Sequence, residues 1–439
     1  MSTSSSSSSG SDSDIPDCFK SPPAPQNIPL PLLTTPPSPL TPFHILILGG
    51  NGCIGSEITN LIKTQLQFIN LQPIHLTLLN RGRQYWSEAS NTNSTPFTTS
   101  HLHLDRTNKQ HLQQALTQHY PTKSVEIVID CSAYRRKSIQ DVLECISVTS
   151  QYIYISSDSI YEVCIPSLSS SPTVEHECQR PTNEKDKKSL NDNDKYGHKK
   201  KQCEELLIHL CQQNRVPSCT ILRCADVIGP KDNTDRLWHY VLWLRYCHSH
   251  HIHPGLHKNK KNQRLSFTYS KDVASLITCF VSQNEAMKKS GVKCYNLACS
   301  ETLTHAELVV EIGKCMGITA FSSTTDLNVS PSLSYYPSTE RGPVNVDAVM
   351  NECQEFWQPT SVLVAIQESV TFLEQALRQG WNVKDRNEVI CSLAADLELV
   401  RSKDRKKLLK GLIETYGPDI KYLWKRKKKK MIKKQNKDE

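Results

Sequence analysis

The chain has 439 residues, of which 22% are charged and 37% are apolar, a composition that supports at least one sizeable core and also leaves room for unfolded segments. No apolar run approaches the length of a membrane-spanning helix, and the first thirty residues lack the basic-then-apolar order of a secretory signal. We therefore expect no membrane span and a cytoplasmic or nuclear location. The 17 cysteines follow no zinc spacing and are interpreted as small apolar residues and free thiols.

Positive charge is concentrated at the carboxyl end of the chain. The formal net charge is +8, and Lys425 to Glu439 holds nine Lys/Arg against two acids, which leaves a net charge of +1 for all other residues. A basic run of this kind is typical of nuclear import signals and of segments that contact nucleic acid or an acidic surface. Nucleic acid or the import machinery is therefore a predicted partner of this tail, with a plain solvated tail as the alternative.

The amino-terminal segment is predicted to be disordered. Met1 to Pro42 contains 11 Ser and 10 Pro, a composition that cannot bury enough apolar surface to offset chain entropy. From Phe43 onward, short apolar runs alternate with helix-period segments, a pattern typical of βαβ units. The chain is divided accordingly into a tail (1–42), an α/β domain (43–230) with a polar, irregular insertion (163–195), a smaller C-terminal lobe (231–380), and a helical extension with a basic tail (381–439).

Six strands are predicted in the α/β domain, and their mostly continuous apolar or β-branched runs indicate a parallel sheet covered on both faces. The helix after the first strand is predicted from an apolar stripe that runs from Ile54 to Leu66. Two helices, Ala306–Met316 and Ser361–Leu377, are predicted in the smaller lobe. The six strands are His44–Leu48, His75–Leu79, His101–Leu104, Val125–Ile129, Tyr152–Ile155 and Cys219–Leu222.

A glycine-rich loop joins the first strand to the first helix. Its glycines have the spacing G-x-x-G-x-x-G rather than G-x-G-x-x-G. A buried strand, a tight glycine turn and a helix amino terminus together favour the pyrophosphate of a dinucleotide, because the first N–H groups of a helix lack partners. The predicted cofactor-binding residues in this loop are Gly49, Gly52, Cys53, Ile54 and Gly55.

The end of the second strand is predicted to select the cofactor. An acidic residue at this position accepts from the adenosine ribose, whereas an arginine accommodates a 2′-phosphate. The sequence here is Asn80-Arg81-Gly82-Arg83, which has no carboxylate and two guanidinium groups, so NADP(H) is favoured over NAD(H). Surface arginines on a turn are the alternative. Asp105, after the third strand, is predicted either to face the adenine or to cap its own loop.

A candidate acid–base pair begins a later helix. Tyr196 and Lys200 are four residues apart and so project from the same helical face. An ammonium group one turn away favours the phenolate form of tyrosine, and we expect a lowered Tyr196 pKa. Ser156 and Ser157 follow the fifth strand, at the edge where parallel sheets bind ligands. Either serine is able to hold a substrate oxygen, and capping of the strand end is the alternative.

Together these segments resemble the extended short-chain dehydrogenase/reductase superfamily, in its NAD-dependent epimerase/dehydratase branch. The resemblance extends from Phe43 to about Leu377, and its six signatures occur in family order. They are the glycines at 49, 52 and 55, the Ser156 to Tyr161 segment, Tyr196 with Lys200, the Leu222, Arg223, Val227, Gly229 and Pro230 segment, Asp272 to Ala274, and Tyr295 to Ala298.

The resemblance implies an α/β fold: a Rossmann-type, doubly wound parallel sheet with a smaller C-terminal substrate lobe, flanked here by the disordered and basic tails. It implies the catalytic residues Ser157, Tyr196 and Lys200, with Tyr196 and Lys200 also contacting NAD(P). In the family, Tyr is the acid–base on a substrate hydroxyl or carbonyl. Lys lowers the pKa of that Tyr and holds a cofactor ribose, and Ser bonds the reacting oxygen.

Two departures from the family pattern bear on the activity. Sugar-nucleotide dehydratases carry Thr-Asp-Glu where this chain has Ser157-Asp158-Ser159, so an epimerase or a reductase is favoured over a dehydratase. Arg341 lies where relatives often place a diphosphate-binding arginine, which is weak support for a nucleotide-sugar substrate, and a surface arginine is the alternative.

The remaining partners are less defined by the sequence. The histidine stretch from His248 to His257 is interpreted as loop composition, and no metal is predicted. A small-molecule substrate is expected, and a homodimer stays open. The alternative to an enzyme is a non-catalytic NADP(H)-binding protein whose basic tail binds RNA, DNA or a protein, and the intact Ser/Tyr/Lys set favours the enzyme.

Overall fold

The main sheet contains seven parallel strands. The computed structural model describes residues 42–66, 68–69, 72–82, 86, 98–165, 172–249, 251, 255–256, 262–283, 291–318, 332–333, 336 and 338–379. All six predicted strands are confirmed. The sheet also contains a seventh strand, which comes later in the chain, within the range assigned to the smaller lobe. The strands are β1 (Phe43–Leu48), β2 (Gln72–Asn80), β3 (Thr98–His103), β4 (Ser124–Asp130), β5 (Ser147–Ser157), β6 (Ser218–Cys224) and β7 (Val292–Leu297).

Strand order places the carboxyl ends of the central strands side by side. The order is β7-β6-β5-β4-β1-β2-β3, and the two-residue strand Phe68–Ile69 pairs antiparallel with β2. Leu48 lies opposite both Leu79 and Asp130, and Ser157 lies opposite Cys224. The order reverses between β1 and β4, and such a switch point opens a crevice outside the strand ends.

Helices cover both faces of this sheet, which confirms the doubly wound fold. Buried side chains of α1, α7 and α9 pack on one face, and those of α2, α3 and α5 pack on the other. The helices are α1 (Cys53–Gln65), α2 (Lys109–His119), α3 (Arg136–Leu143), α4 (Glu184–Asn193), α5 (Lys195–Gln212), α6 (Arg236–Ser249), α7 (Ser270–Ser282), α8 (His305–Cys315), α9 (Asp347–Cys353) and α10 (Val362–Gln379), with a 3₁₀ helix at Asp158–Val163.

A second core belongs to the smaller lobe. It gathers apolar side chains of α6, α8 and α10, where a buried aliphatic or aromatic side chain contributes about 1.5–3 kcal/mol. Trp86, from the loop after β2, stacks on Trp238 of α6 with ring centroids 4.8 Å apart. Short strand pairs complete this part: Asp226–Ile228 with Phe267–Tyr269, Arg264–Leu265 with Leu303–Thr304, and Gly255–Leu256 with Ser332–Leu333.

The insertion between β5 and α5 is more structured than predicted. The prediction of an irregular segment at 163–195 is wrong for α4, which Asn183 caps by accepting from the Lys185 N–H. The side chain of Glu175 accepts from the Asn296 N–H of β7 at 2.8 Å. The part of the insertion around Glu175 is therefore held against β7, at the edge of the sheet, by a specific hydrogen bond.

Several sequence predictions fall outside the described residues. These include the disordered segment 1–41, the extension 381–439 with its basic run, and Arg83. Helix α7 and strand β7, which the sequence assigned to the smaller lobe, belong instead to the main sheet and the helical layer that covers it. Among the helices that the structure describes, none combines the length and apolar character needed to cross a membrane. The fifteen cysteines of the described part are free thiols.

Candidate active site

A cleft of about 1140 Å³ opens at the carboxyl edge of the sheet. The loops that follow β1, β2, β4, β5 and β6 line it, as expected at the switch point. Of the predicted site residues, all but Arg341 line this one cleft. They are Gly49, Gly52, Cys53, Ile54, Gly55, Asn80, Arg81, Asp105, Ser157, Tyr196 and Lys200.

The glycine loop forms a cradle that side chains would fill. Gly49 has a φ of +91°, which L residues rarely adopt. A Cβ on Gly55 would lie 2.3 Å from the Gly49 carbonyl oxygen, whereas one on Gly52 would lie 3.4 Å from it. Helix α1 starts at Cys53, whose thiol is buried with a pKa raised chiefly by that burial. The cradle, with its free helix amino terminus, fits a dinucleotide pyrophosphate.

The end of β2 is tied to the glycine loop. Asn80 Oδ1 accepts from Asn51 Nδ2 at 3.1 Å and from the Gly82 N–H at 2.8 Å. The Arg81 side chain is exposed and lines the cleft beside this junction. Asp105 caps its own loop, because its Oδ1 accepts from both the N–H and the hydroxyl of Thr107, and these bonds lower its pKa. Of the two predictions for Asp105, loop capping is confirmed.

A buried ion pair supports the same end of the cleft, and sequence reasoning missed it. Arg106 donates to both carboxylate oxygens of Asp130, at 2.6 and 3.0 Å, and to Ser132 Oγ at 2.9 Å. Asp130 also accepts from the Tyr152 hydroxyl at 2.7 Å. The bidentate pair joins the loop after β3 to the end of β4. The only sign of this ion pair in the sequence was Asp130 itself, an acidic residue directly after the predicted buried strand Val125–Ile129.

Lys200 is held beneath the cleft floor. Its side chain is only 3% exposed, and its Nζ donates to the Ile155 carbonyl at 2.7 Å and the Ala133 carbonyl at 3.1 Å. Burial lowers the pKa of this ammonium group. Because an ammonium has three donors, two backbone bonds leave one N–H for a ligand in the cleft.

Tyr196 lies at the mouth of the same site, at the start of α5. Asp194 caps that helix by accepting from the Gly197 N–H at 2.8 Å. Tyr196 is 43% exposed, but partial desolvation of its ring and the neighbouring Tyr134 phenol raise its pKa, and interaction with the Ser157 hydroxyl offsets part of that rise. The predicted lowering by Lys200 is wrong for this structure, because the Lys200 Nζ faces the backbone carbonyls and lies 6.0 Å from the Tyr196 ring centroid.

The two serines that end β5, Ser156 and Ser157, bond to different partners. The Ser156 hydroxyl donates to Glu204 Oε1 at 2.6 Å inside the core. Ser157 Oγ accepts from the Ser159 N–H at 3.2 Å and lies 3.1 Å from Asp158 Oδ1. Ser157 therefore caps the 3₁₀ helix, as the capping alternative predicted, while also lining the cleft beside Tyr196.

Carboxylates gather in the part of the cleft lined by Asp226, Ser338 and Thr339, which is called the substrate end after the role proposed for it below. Sequence reasoning did not find this group. Asp158 is 7% exposed and lies within 3.5 Å of the Thr339 hydroxyl. Asp226 pairs with Arg236 and accepts from the Ser338 N–H at 2.9 Å. Burial, and after it the neighbouring Asp226 carboxylate, raise the pKa of Asp158 to about 8.

Arg341 is not brought together with the other predicted site residues. Its guanidinium donates to the Cys164 carbonyl, and its N–H donates to Glu162 Oε1 at 2.9 Å. Arg341 thus stabilises the loop that carries Thr339. Within the described part of the chain, no three His, Cys, Asp or Glu side chains are grouped for a metal ion, and much of the histidine stretch at 248–257 lies outside that part.

The family of the chain follows from comparison with known proteins. The model of the NAD dependent epimerase/dehydratase family matches residues 45–298, more than half of the chain. The chain belongs to this family. A comparison with curated protein sequences finds no match.

Solved structures of similar fold agree with this membership. A dTDP-glucose 4,6-dehydratase from Bacillus anthracis in complex with NAD has 15% identity and a TM-score of 0.55, covering 76% of this chain and 98% of its own. A UDP-glucuronic acid 4-epimerase from Bacillus cereus in complex with UDP-glucuronic acid and NAD has 17% identity and a TM-score of 0.54, covering 76% and 99%. At these identities the similarity concerns the fold.

Proposed function

We propose that this family member is an NAD(P)-dependent epimerase or reductase that acts on a hydroxyl or carbonyl of a small molecule. One observation carries the proposal. Ser157, Tyr196 and Lys200, which come from two elements, line the same cleft as the glycine cradle. Hydride transfer to or from a carbinol or carbonyl requires a bound dinucleotide cofactor and a group that moves the proton. A pyrophosphate site and an acid–base group within one cleft would meet both requirements.

The cofactor is proposed to be NADP(H). The cradle at Gly49, Gly52 and Gly55 would hold the pyrophosphate, and the exposed Arg81 would meet the 2′-phosphate. The remaining N–H of Lys200 would bind the nicotinamide ribose. When bound, the cofactor supplies or accepts the hydride. The relatives of known structure named above carry NAD, so the preference for NADP(H) rests on Arg81 and the missing carboxylate.

Tyr196 is proposed to move the proton. A phenol is protonated at neutral pH even at its ordinary pKa, and the pKa of Tyr196 is raised, so the resting side chain is able to donate a proton to a carbonyl oxygen. In the opposite direction, the group must act as a base. A cation that approaches the phenol, such as a nicotinamide ring, would then favour the phenolate. Ser157 is proposed to donate a hydrogen bond to the same substrate oxygen.

The substrate is proposed to carry a sugar-like hydroxyl or carbonyl, with nucleotide sugars in this class. The UDP-glucuronic acid 4-epimerase of similar fold is named for such a compound. Ser159 stands where the family's dehydratases carry Glu, so an epimerase or a reductase is proposed rather than a dehydratase. A diphosphate would need cations other than Arg236, which is engaged with Asp226, and other than Arg341.

The test replaces Tyr196 with Phe, which removes one oxygen and almost no volume. Turnover in a panel of sugar nucleotides and carbonyl compounds should fall by roughly 10²–10⁴-fold, while NADPH affinity and folding stay close to the parent protein. Tyr134→Phe is the matched control, because this phenol lines the cleft beside Tyr196, and its effect on turnover should be far smaller.

Two further variants separate the proposed roles. Lys200→Ala should weaken both turnover and NADPH binding, and Ser157→Ala should lower turnover with little loss of cofactor. Tight NADPH binding without turnover anywhere in the panel would instead favour the non-catalytic binding protein. No described residue supports that alternative at present, since its basic tail lies outside the described part.

A further inference from the structure

The hydroxyl proton of Ser157 has competing acceptors. Ser157 Oγ lies 3.1 Å from Asp158 Oδ1 and 3.2 Å from Ser159 Oγ. A serine hydroxyl has one proton to donate and two lone pairs to accept with. One lone pair already accepts from the Ser159 N–H. A proton that Ser157 gives to Asp158 is therefore not available to a substrate oxygen.

Asp158 lies in a setting that penalises its charged form. Its carboxyl group is buried, and the other charged or titratable groups facing it come from five different elements or loops. The acids outnumber the single cation, and Arg236 is already engaged with Asp226. The facing groups are Asp226 after β6, Glu162 of the 3₁₀ helix, Arg236 of α6, Tyr196 of α5 and Cys224 of β6.

We propose that Asp158 is a positioning residue whose protonation sets the direction of the Ser157 hydroxyl. Protonated, Asp158 donates to Ser157 Oγ and leaves the serine proton free for the substrate oxygen. Ionised, Asp158 accepts that proton, and the substrate oxygen loses a donor. The inference rests on the proposed function, in which Ser157 bonds the reacting oxygen.

The direction of the pH effect follows from the raised pKa of Asp158, about 8. Below this pH the carboxyl group holds its proton and Ser157 is able to donate to substrate. Above it the carboxylate forms and Ser157 turns to Asp158. Turnover of a carbonyl substrate should therefore fall as the pH rises through about 8, with an alkaline limb that depends on Ser157.

The first test needs no substrate. Infrared difference spectra of the full-length protein, taken against pH, should show the band of a protonated carboxylic acid disappearing with a midpoint near pH 8. The component should be absent from Asp158→Asn, which separates it from the other buried acids with raised pKa, Asp232 and Asp272. In Ser157→Ala the midpoint should move upward by roughly one pH unit, the worth of one hydrogen bond to a charged group.

A further variant, Asp226→Asn, tests the setting of Asp158. Asp226→Asn removes the neighbouring negative charge and releases Arg236, so the midpoint should move downward. If Ser157→Ala leaves the midpoint where it is in the parent protein, Asp158 does not share a proton with Ser157 and the proposal is overturned. Absence of the band at neutral pH would overturn it as well.

Once a substrate is found, the pH dependence of turnover can be measured in Asp158 variants. This profile would not change if Asp158 had only a structural role. Asp158→Ala should lower turnover, and Asp158→Asn should recover part of it, because the amide N–H donates permanently to Ser157 Oγ. The alkaline limb should be lost in Asp158→Asn. An unchanged limb in that variant would contradict the proposal. Failure of Tyr196→Phe to reduce turnover would instead contradict the proposed function and leave the infrared result standing.

Discussion

The two ends of the cleft are built by different means. At the cofactor end, glycines of one short loop shape the backbone, and the neighbouring contacts, such as Asn80 with Asn51 and Gly82, join segments close in sequence. At the substrate end, buried carboxylates meet donors from distant parts of the chain. The Thr339 hydroxyl lies 181 residues from its partner Asp158, and the Ser338 backbone N–H lies 112 residues from Asp226.

This difference explains why a motif identifies one end and not the other. A glycine pattern between a strand and a helix carries its own structural context, so local sequence is enough. A buried carboxylate gains its properties from neighbours that only the folded chain supplies. Substitutions of these buried charged groups should therefore affect the stability of the whole fold, whereas those in the glycine loop and at Arg81 should mainly affect binding.

The largest effect is expected from Arg223→Met in the buried network below the substrate end. Arg223 is 1% exposed and donates to Glu204 Oε2 at 2.9 Å, to the Tyr161 hydroxyl at 3.0 Å and to the Glu175 carbonyl at 2.7 Å. Removing it leaves a buried carboxylate without its main partner, which costs about 3–5 kcal/mol. Urea unfolding at pH 7 measures the loss in the free energy of unfolding.

The double variant Arg223→Met/Glu204→Gln is the control for that experiment. It removes the uncompensated charge while keeping the volume, so it should recover part of the lost stability. A single variant as stable as the parent protein would show that buried charges do not support this end of the cleft.

The next effect is expected at the glycine cradle. In Gly55→Ala the new Cβ would meet the Gly49 carbonyl at 2.3 Å, so the loop must shift. NADPH binding should weaken by roughly 100-fold, about 2.7 kcal/mol, as measured by nicotinamide fluorescence. In Gly52→Ala the new Cβ lies 3.4 Å from the same oxygen, so the loop should keep its shape. Equal loss of thermal stability in the two variants would contradict the cradle geometry.

The smallest effect is expected from Arg81→Ala. The variant should lose most of its preference for NADPH over NADH, a change of about 10- to 100-fold, since one charge-assisted hydrogen bond contributes about 1.5–3 kcal/mol. NADH affinity and stability should hardly change, because the side chain is exposed. Titration of both cofactors decides the matter, and a parent protein that prefers NADH would contradict the assignment.

Much of the fold was predictable because its strands are covered on both faces. Continuous apolar runs such as Ile45–Leu48 and Ile127–Ile129 leave little doubt about a buried parallel sheet. Helix α4 was missed because its ten residues include no buried side chain, so no apolar stripe marks it. Its start depends on the Asn183 cap, which an isolated asparagine in a polar stretch does not reveal.

The residues of the candidate site were predictable, but their electrostatics were not. The i, i+4 spacing placed Tyr196 and Lys200 beside the same cleft. Spacing says nothing about where the Lys200 ammonium points, and it donates to two backbone carbonyls instead of approaching the phenol. In the sequence, Asp158 is only the middle residue of the Ser157-Asp158-Ser159 motif. Its raised pKa was not predictable, because it depends on burial and on Asp226, which only the folded chain brings close.

The position of the segment 338–341 late in the chain also determines the order in which the parts of the cleft form during synthesis. Domains fold as the chain emerges from the ribosome, amino-terminal parts first. The glycine cradle and the ends of β1 to β6 are available once residue 224 has emerged, whereas the contacts of Ser338, Thr339 and Glu340 with Asp226, Asp158 and Glu162 come more than a hundred residues later. On a nascent chain, the glycine loop is thus complete well before the segment that lines the other part of the cleft has emerged.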